Sequence, residues 1–246
     1  MLRRASDMQR SFTIQAADGD IGRLDQFYFD DQRWLVRYLV IDTLDWLEGQ
    51  SLLLPPLTIK SISWSKRILH VGIARNQVKN SPDFDHHKPV SRQHETEYSN
   101  YYDWPYYWST AGLWEFGYRP SSLMMSRAIK AAQEHELRSE PGDPHLRSSR
   151  EVFGYHIKAL DGEIGHVEDF IIDDLRWSIE QLVVDTRNWW HGKNVLISPD
   201  KIVRINWAEA NVDVKLTQNQ IKNLADFDGS PSMIRNSQAT RSPELF

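Results

Sequence analysis

Two pairs of adjacent carboxylates are the first residues in this sequence that could carry out chemistry. Asp30-Asp31 and Asp173-Asp174 each place two side chains of the type used in general acid and base catalysis next to each other. Neighbouring residues in a turn point apart, so such a pair is poorly placed to act on one substrate. Aspartate also favours turns because its side chain accepts hydrogen bonds from nearby backbone amides. We therefore predict solvated turns at both positions.

A histidine-rich segment is the second place where chemistry could occur. His86, His87 and His94 lie among acidic residues, but their spacing matches no closed zinc site, so we predict a polar loop and leave metal binding open. The chain has no cysteine, which excludes disulfides and thiolate chemistry. It also lacks a nucleophile motif, a phosphate-binding loop and a dinucleotide fingerprint. These observations predict a protein that is not an enzyme and has no cofactor.

Aromatic residues give the strongest indication of binding. The chain has ten tryptophans, and some of them fall in a loop between two strands or in an aromatic stretch that begins at Tyr101. Packing and partner contact both explain them, and interface hot spots favour tryptophan and tyrosine. Loops on a rigid scaffold are also where binding residues collect. The candidate partner-binding residues are Trp46, Trp189, Trp190, Tyr106, Tyr107 and Trp108.

An internal repeat supplies the elements that position these residues. The stretch from Asp18 to Pro56 matches the stretch from Asp161 to Pro199 without a gap, at an offset of 143 residues. The match continues to Asp85 and Asp228. A repeat of this length indicates two copies of one folding unit, so we predict domains at 12–85 and 151–228.

The pattern within each copy favours strands. Trp34 to Ile41 is rich in aromatic and β-branched residues, and Leu69, Val71 and Ile73 alternate with polar residues as in a half-buried strand. Pro55-Pro56 ends another strand because proline cannot donate to a ladder. About six short strands separated by Gly, Pro and Asp predict a small closed barrel in each copy.

The remaining segments have different compositions. Residues 1–11 are expected to form a short frayed arm. Residues 86–150 form an aromatic-rich linker, too aromatic for disorder, with a helix expected over 121–138. We expect this linker to lie against the barrels and the polar tail, 229–246, to be disordered.

Two further motifs occur in both copies. Asp42-Thr43 and Asp185-Thr186 end a strand, where a side-chain hydrogen bond that closes the following loop is expected. The glycine pairs at 19/22 and 162/165 have the spacing of an RNA-clamping loop, but acidic residues lie around them. Turns that need the conformational freedom of glycine explain them better.

Charge limits the partners. The formal net charge is −5. Residues 12–85 contain 8 Lys/Arg against 10 Asp/Glu, and residues 155–228 contain 8 against 13. This balance predicts no nucleic-acid binding. No apolar run approaches the ~20 residues of a membrane span, and the N-terminus has no signal-peptide pattern, so a cytoplasmic location without a transmembrane segment is expected.

The combined motif resembles the PRC-barrel family, named for the cytoplasmic domain of the photosynthetic reaction centre H subunit. The matching residues are Asp161-Gly162-Glu163-Ile164-Gly165, Val183-Val184-Asp185-Thr186 and Val195-Leu196-Ile197-Ser198-Pro199. The resemblance implies an all-β protein of two tandem PRC-type barrels, packed as a pseudo-symmetric pair. It implies binding or scaffolding and no catalytic residues. The chain lacks the membrane helix of the photosynthetic subunit, so it is not expected to be that subunit.

These observations predict a non-enzymatic protein-binding or scaffolding protein, whose protein partner is unknown and whose assembly as a homodimer is left open. One alternative is a small-ligand carrier or enzyme with a pocket between the barrels. Another alternative, implied by the related barrel of a ribosome-maturation factor, is RNA processing, which the acidic charge disfavours.

Overall fold

The computed structural model describes residues 1–43, 47, 50–82, 92–104, 146–186 and 193–229. The fold is mainly β, as predicted. The chain divides into two compact units, which we name after the repeat that each contains. The repeat-1 unit comprises Met8–Phe29 and Val36–Leu146, and the repeat-2 unit comprises Met1–Asp7, Asp30–Leu35 and Arg147–Phe246.

The repeat-1 unit is built on a sheet with the strand order β5-β4-β3-β2-β7-β6. Strands β2 and β7 run parallel, whereas β4–β5 and β6–β7 are antiparallel. Its elements are β2 Thr13–Ala16, β3 Gly19–Asp30, β4 Leu35–Asp42, β5 Ser51–Leu54, β6 Ile59–Ser63, β7 Ile68–Val71, α2 Arg75–Lys79 and α3 Arg92–Tyr101.

The repeat-2 unit has the corresponding order, β12-β11-β10-β9-β14-β13. Strands β9 and β14 run parallel, as their counterparts do. Its elements are β1 Leu2–Arg4, α1 Ala5–Met8, β8 Leu146–Ser148, α4 Ser149–Val152, β9 His156–Ala159, β10 Gly162–Asp173, β11 Ser178–Asp185, β12 Asn194–Ile197, β13 Ile202–Asn206, β14 Asn211–Val214 and α5 Gln218–Lys222.

The predicted duplication is confirmed element by element. Each strand from β2 to β7, and also α2, recurs with both of its ends shifted by 143 residues, as in β3 and β10. The two outer strands of each unit, β5 with β6 and β12 with β13, are not joined by a ladder in the described residues. Closure of each copy into a barrel therefore stays a prediction.

The N-terminal arm is ordered, so the prediction of a frayed arm is wrong. Strand β1 pairs antiparallel with β10, where Leu2 lies opposite Asp173, and Ala5 in α1 is fully buried. Asp169, which is also fully buried, accepts hydrogen bonds from Arg4 Nε at 2.8 Å and from Ser6 Oγ at 2.5 Å. The charged residues of the arm led us to expect exposure to solvent, but the buried carboxylate of Asp169 neutralises Arg4.

Both ends of the described repeat-2 unit contribute to its core. Ile171, Val183 and Phe227 form a buried cluster against which Leu2 and Leu196 pack. The backbone N–H of Phe227 donates to the carbonyl of Asn194 at 2.7 Å, which fixes the C-terminal segment along β12. Apolar residues from three separate parts of the chain therefore stabilise this unit.

Part of the predicted linker packs within the repeat-1 unit. In α3, the sequence had indicated only a polar loop, yet Tyr98 is buried. The hydroxyl of Tyr101 donates to the carbonyl of Gln77 in α2 at 2.8 Å, and the rings of Tyr102 and Trp104 stack with centroids 4.2 Å apart. Packing therefore explains the start of the aromatic stretch. The helix expected over 121–138 lies outside the described residues.

Candidate interaction site

The two carboxylate pairs lie in turns, and their carboxylates are buried although other turn residues such as Leu175 are exposed. Asp173 Oδ1 accepts hydrogen bonds from the backbone N–H of Leu175 at 2.8 Å and of Arg176 at 3.3 Å, and Asp30 bonds to its own turn in the same way. The predicted local hydrogen bonding is confirmed. The predicted solvation is wrong, because Asp30 is 6% exposed and Asp173 is 7% exposed.

Ion pairs explain how these carboxylates can be buried. Arg147 Nε lies 2.7 Å from Asp31 Oδ2, and the two side chains are 13% and 8% exposed. The same pair recurs between Arg3 and Asp174, with 3.6 Å between Nε and Oδ2. One carboxylate of each pair is thus neutralised by an arginine from a short strand that precedes a repeat, which supports a structural role instead of acid–base catalysis.

Arg147 also contacts the side chain of Trp207. Its Cζ lies 5.2 Å from the centroid of the indole ring, within the range of a cation–π interaction. Strand β8 carries Arg147, and Trp207 follows β13 directly. Trp207 remains 40% exposed, so the guanidinium supports an aromatic side chain that solvent still reaches.

Two titratable groups lie near this contact. Burial raises the pKa of the Glu151 carboxyl, and the charge of Arg147 opposes that rise. Burial also raises the pKa of the Tyr155 hydroxyl. The charge of Glu151 raises this pKa further, and the charge of Arg147 opposes the rise. Ser148 caps α4 by accepting a hydrogen bond from the backbone N–H of Glu151 at 3.2 Å, so the backbone that carries this carboxyl is fixed.

An open sheet edge lies beside Trp207. Strand β13 ends the strand order and pairs only with β14 in the described part of the chain. Val203 in this strand is 57% exposed, whereas Arg204 donates to Asp213 at 2.7 Å. We call Val203, Arg204 and Trp207 the β13 rim. Proteins commonly protect such edges with charge, especially lysine, and the counterpart of Val203 in repeat 1 is Lys60.

Among the described residues of the two repeats, the large apolar side chains that are exposed belong to repeat 2, whereas Met1 and Tyr101 are exposed outside the repeats. Its exposed large apolar residues are Leu160 at 70%, Leu175 at 79%, Val203 at 57% and Trp207 at 40%. Their counterparts at the 143-residue offset are Ala17, Gln32, Lys60 and Trp64. Trp64 is half-buried and packs edge-on against Phe12, with centroids 5.0 Å apart. Because both copies have the same strands, the fold does not require apolar exposure at these positions.

The partner-binding residues predicted from the sequence lie outside the described residues. They are Trp46, Trp189, Trp190, Tyr106, Tyr107 and Trp108. The bases of two of their loops are described. Thr43 Oγ1 donates to the carbonyl of Gln50 at 2.7 Å, and Thr186 Oγ1 donates to the carbonyl of Lys193 at 2.8 Å. The predicted loop-closing hydrogen bonds are therefore confirmed.

Both glycines of each pair lie in a strand, β3 or β10, so the prediction of turns is wrong, but the predicted need for the conformational freedom of glycine is confirmed. Gly22 has a φ of +150°, and a Cβ at this position would lie 2.1 Å from the carbonyl oxygen of Asp42. Gly165 approaches Asp185 in the same way, at 2.2 Å. The glycines thus allow β3 and β10 to pass close to the ends of neighbouring strands.

The histidine-rich segment contributes little to the described site. His86 and His87 lie outside the described residues, and His94 falls in α3. Among the residues that the structure describes, no three His, Asp or Glu side chains are grouped so that they could hold a metal ion. Over the same ranges, no helix is long and apolar enough to cross a membrane.

Comparisons with known proteins do not identify a family. No family model matches the chain, and a search of curated proteins finds no significant match. The residues of the candidate site therefore rest on the geometry described above.

Sequence reasoning missed Arg147, Val203 and Trp207. Arg147 fell inside the predicted linker, because the arm preceding each repeat matches at an offset of 144 and not 143. A position-by-position comparison of the repeats would have revealed Val203, since it replaces a lysine. Trp207 gave no such signal, because both copies have tryptophan there.

Proposed function

We propose that this chain is a non-enzymatic protein-binding or scaffolding protein built from two PRC-type barrels. The matching strand boundaries of the repeats support a duplicated domain, and the sequence motifs support the PRC-barrel resemblance. The observation that carries the functional proposal is that exposed apolar residues occur in repeat 2 at positions where repeat 1 has small, polar or packed residues.

The β13 rim has the chemistry of a protein contact. Tryptophan and arginine dominate interface hot spots, and Trp207 is already held by Arg147. A held side chain loses less conformational entropy on binding than a mobile one. Burial of apolar surface contributes about 25 cal/mol per Å², so covering Val203 and the exposed part of Trp207 would favour association.

The partner that fits this rim is a protein segment. An open strand edge offers backbone hydrogen bonds to an extended chain, and the exposed side chains beside it give specificity. Catalysis has weaker support, because the acidic residues nearest the rim either pair with an arginine or a lysine or, in the case of Glu151, have a raised pKa without a neighbouring nucleophile among the described residues.

Exchange of residues between the repeats tests the proposal. The double variant Leu175→Gln and Val203→Lys places the residues of repeat 1 at the matching positions of repeat 2. Both sites are exposed, so we expect an unchanged melting temperature. Tagged wild-type chain and tagged variant would be expressed at native level, and co-purifying proteins quantified by mass spectrometry. The reciprocal variant Lys60→Val, in repeat 1, serves as the control.

We expect the exchange variant to lose at least one protein that wild type and the control both retain at constant stoichiometry. An identical set of co-purifying proteins for all three chains would contradict a binding role for this surface. A lower melting temperature in the exchange variant would show that the exposed residues stabilise the fold instead.

A further inference from the structure

Repeat 1 contains a basic segment that its overall charge conceals. Residues 49–82 contain no aspartate or glutamate. The same residues contain five basic side chains, Lys60, Lys66, Arg67, Arg75 and Lys79. The acidic residues of repeat 1 all lie before or after this segment. They outnumber the basic residues of the whole repeat, so the net charge of residues 12–85 is slightly negative.

Strand pairing brings part of this segment close to two further arginines. The backbone N–H of Thr13 in β2 donates to the carbonyl of Arg67 at 2.9 Å, and Thr13 lies opposite Arg23 in the β2–β3 ladder. The backbone N–H of Arg10 donates to the carbonyl of Leu24, the next residue along β3, at 2.5 Å. Residues Arg10, Arg23, Lys66 and Arg67 therefore gather at one end of this sheet, and we call them the basic cluster.

The side chains of the basic cluster are available to a ligand. All four residues are exposed. Within the described residues, none of them forms an ion pair with an acidic side chain. Arg204 in repeat 2 differs, because its guanidinium forms an ion pair with Asp213 at 2.7 Å. Four unpaired positive charges at one sheet end produce a local field that a net charge of −5 does not show.

The fold does not require this cluster, since the other copy lacks it. The positions equivalent to Arg23, Lys66 and Arg67 carry a histidine, a glutamate and an alanine, and the position equivalent to Arg10 carries a glycine. These residues of repeat 2 are His166, Glu209, Ala210 and Gly154. The same backbone thus carries four basic residues in one copy and an acidic residue without lysine or arginine in the other.

The neighbouring sheet face is polar. Ser61 lies opposite His70 in the β6–β7 ladder, and His70 lies beside Gln15 of β2. In the next row, Ser63 and Thr13 lie on either side of Ile68. Within the described part of repeat 1, no large apolar side chain is strongly exposed. A ligand at this end of the sheet would meet charge and hydrogen-bonding groups and few apolar contacts.

We propose that the basic cluster of repeat 1 binds the phosphate backbone of a single-stranded nucleic acid. Three of its four side chains are arginines, whose planar guanidinium groups suit bidentate contacts to phosphate. Hydroxyl side chains on the adjacent face match the remaining contacts that proteins make to phosphate and sugar, whereas the amide of Gln15 already donates to Asp20 at 2.9 Å. The prediction of no nucleic-acid binding was made from charge averaged over a whole repeat, and this proposal sets against it the local concentration of basic residues.

The same observations disfavour a membrane, a protein or a duplex nucleic acid as the ligand of this cluster. A membrane-binding surface combines basic residues with apolar side chains that insert into the lipid, and the described part of repeat 1 does not expose them. A protein interface requires apolar or aromatic anchors at its centre, which repeat 2 has and this cluster lacks. Duplex readout places a helix or ribbon in a groove, whereas here the basic residues surround a sheet end.

Fluorescence anisotropy with the full chain and a labelled 12-nucleotide oligouridine tests the proposal. We expect binding at 50 mM salt that weakens as salt rises, with a slope of log K against log salt of about −3, because four phosphate contacts on a single strand contribute about 0.7 each. The double variant Arg23→Gln and Arg67→Gln should bind at least tenfold more weakly, with a slope nearer to −1.4. Arg176→Gln, an exposed arginine of repeat 2 outside the β13 rim, should leave both quantities unchanged.

A second double variant, Arg10→Gln and Lys66→Gln, should weaken binding as the first does. Circular dichroism of both variants checks that neither has a folding defect. Equal affinity of wild type and both double variants would overturn the proposal. Tight binding to vesicles of phosphatidylglycerol, or to polyglutamate, without binding to the oligonucleotide would also overturn it.

Discussion

Arg147 donates from Nε to Asp31 Oδ2 at 2.7 Å, although the two residues lie 116 positions apart in the sequence. The same guanidinium lies 5.2 Å from the ring of Trp207. The carboxylate therefore does two things, since it neutralises a buried charge and orients the group that supports the exposed tryptophan. This ion pair therefore links the stability of the repeat-2 unit to the support of its exposed tryptophan.

We predict that Asp31→Asn destabilises the protein by about 3–5 kcal/mol, because removing one partner leaves a buried guanidinium without its counter-charge. Asp213→Asn is the matched control. Its partner Arg204 has a side chain that is 62% exposed, so we expect a loss below about 1 kcal/mol. Urea denaturation of both variants measures the difference, and equal losses would show that the Asp31 pair is not effectively buried.

Substitution of equivalent tryptophans should destabilise the protein by different amounts in the two repeats. Trp64→Ala removes a half-buried ring that packs against Phe12, and we expect it to cost about 3 kcal/mol. Trp207→Ala removes a ring that is 40% exposed and should cost about 1 kcal/mol or less, mainly through the lost contact with Arg147. Thermal denaturation of the two variants checks the order, and a larger loss for Trp207→Ala would contradict it.

Gly22→Ala should be severely destabilising. The added Cβ would lie 2.1 Å from the carbonyl oxygen of Asp42, and the φ of +150° is itself unfavourable for alanine. Gly154→Ala is the control, because its φ is +87° but no atom lies within 4 Å of the added Cβ. We expect more than about 3 kcal/mol for Gly22→Ala and about 1–2 kcal/mol for Gly154→Ala. Similar losses would indicate that backbone strain and not the close strand approach sets the requirement at Gly22.

Glu151 should make the repeat-2 unit less stable as pH rises. Burial raises the pKa of this carboxyl in the folded state above the ordinary value of 4.5. Its contribution is fully present below pH 4.5 and is lost as pH rises through the folded-state pKa, because ionisation of the buried group is unfavourable. Glu151→Gln should flatten the dependence of melting temperature on pH from 4 to 7. A variant with the same pH dependence as wild type would show that Glu151 titrates as it does in the unfolded chain.

The sequence predicted regular structure best where the two copies agree. The gapless match through Asp18 and Asp161 placed equivalent strands in register, and the structure confirms this for β3 and β10. The Thr43 and Thr186 hydrogen bonds were also predicted, because a threonine at a strand end favours that geometry.

The arm and the carboxylate turns could not be read from the sequence for a physical reason. Arg4 and Asp169 are 165 residues apart, and each looks like a solvated surface residue until its partner is known. Charge neutralisation across such a separation depends on the tertiary structure, so local composition and periodicity do not predict it. The one-residue change of offset before each repeat also concealed that Arg3 and Arg147 are equivalent.

The surface features were hidden by averaging. The basic cluster disappears when charge is counted over a whole repeat, since acidic residues elsewhere cancel it. The exposed positions of repeat 2 resemble ordinary strand and turn residues when that copy is read alone. Val203 becomes informative only beside Lys60, the residue that occupies the same position of the same strand in the other copy.

Site-specific photo-crosslinking in the native cells tests the proposed binding surface most directly. A photoreactive phenylalanine analogue would be placed at position 203 in one chain and at the equivalent position 60 in another. We predict a covalent adduct with a discrete protein from position 203, its loss when Leu175→Gln is added, and none from position 60. Adducts of the same mass and yield from both positions, or from neither, would contradict the claim that repeat 2 carries the binding surface.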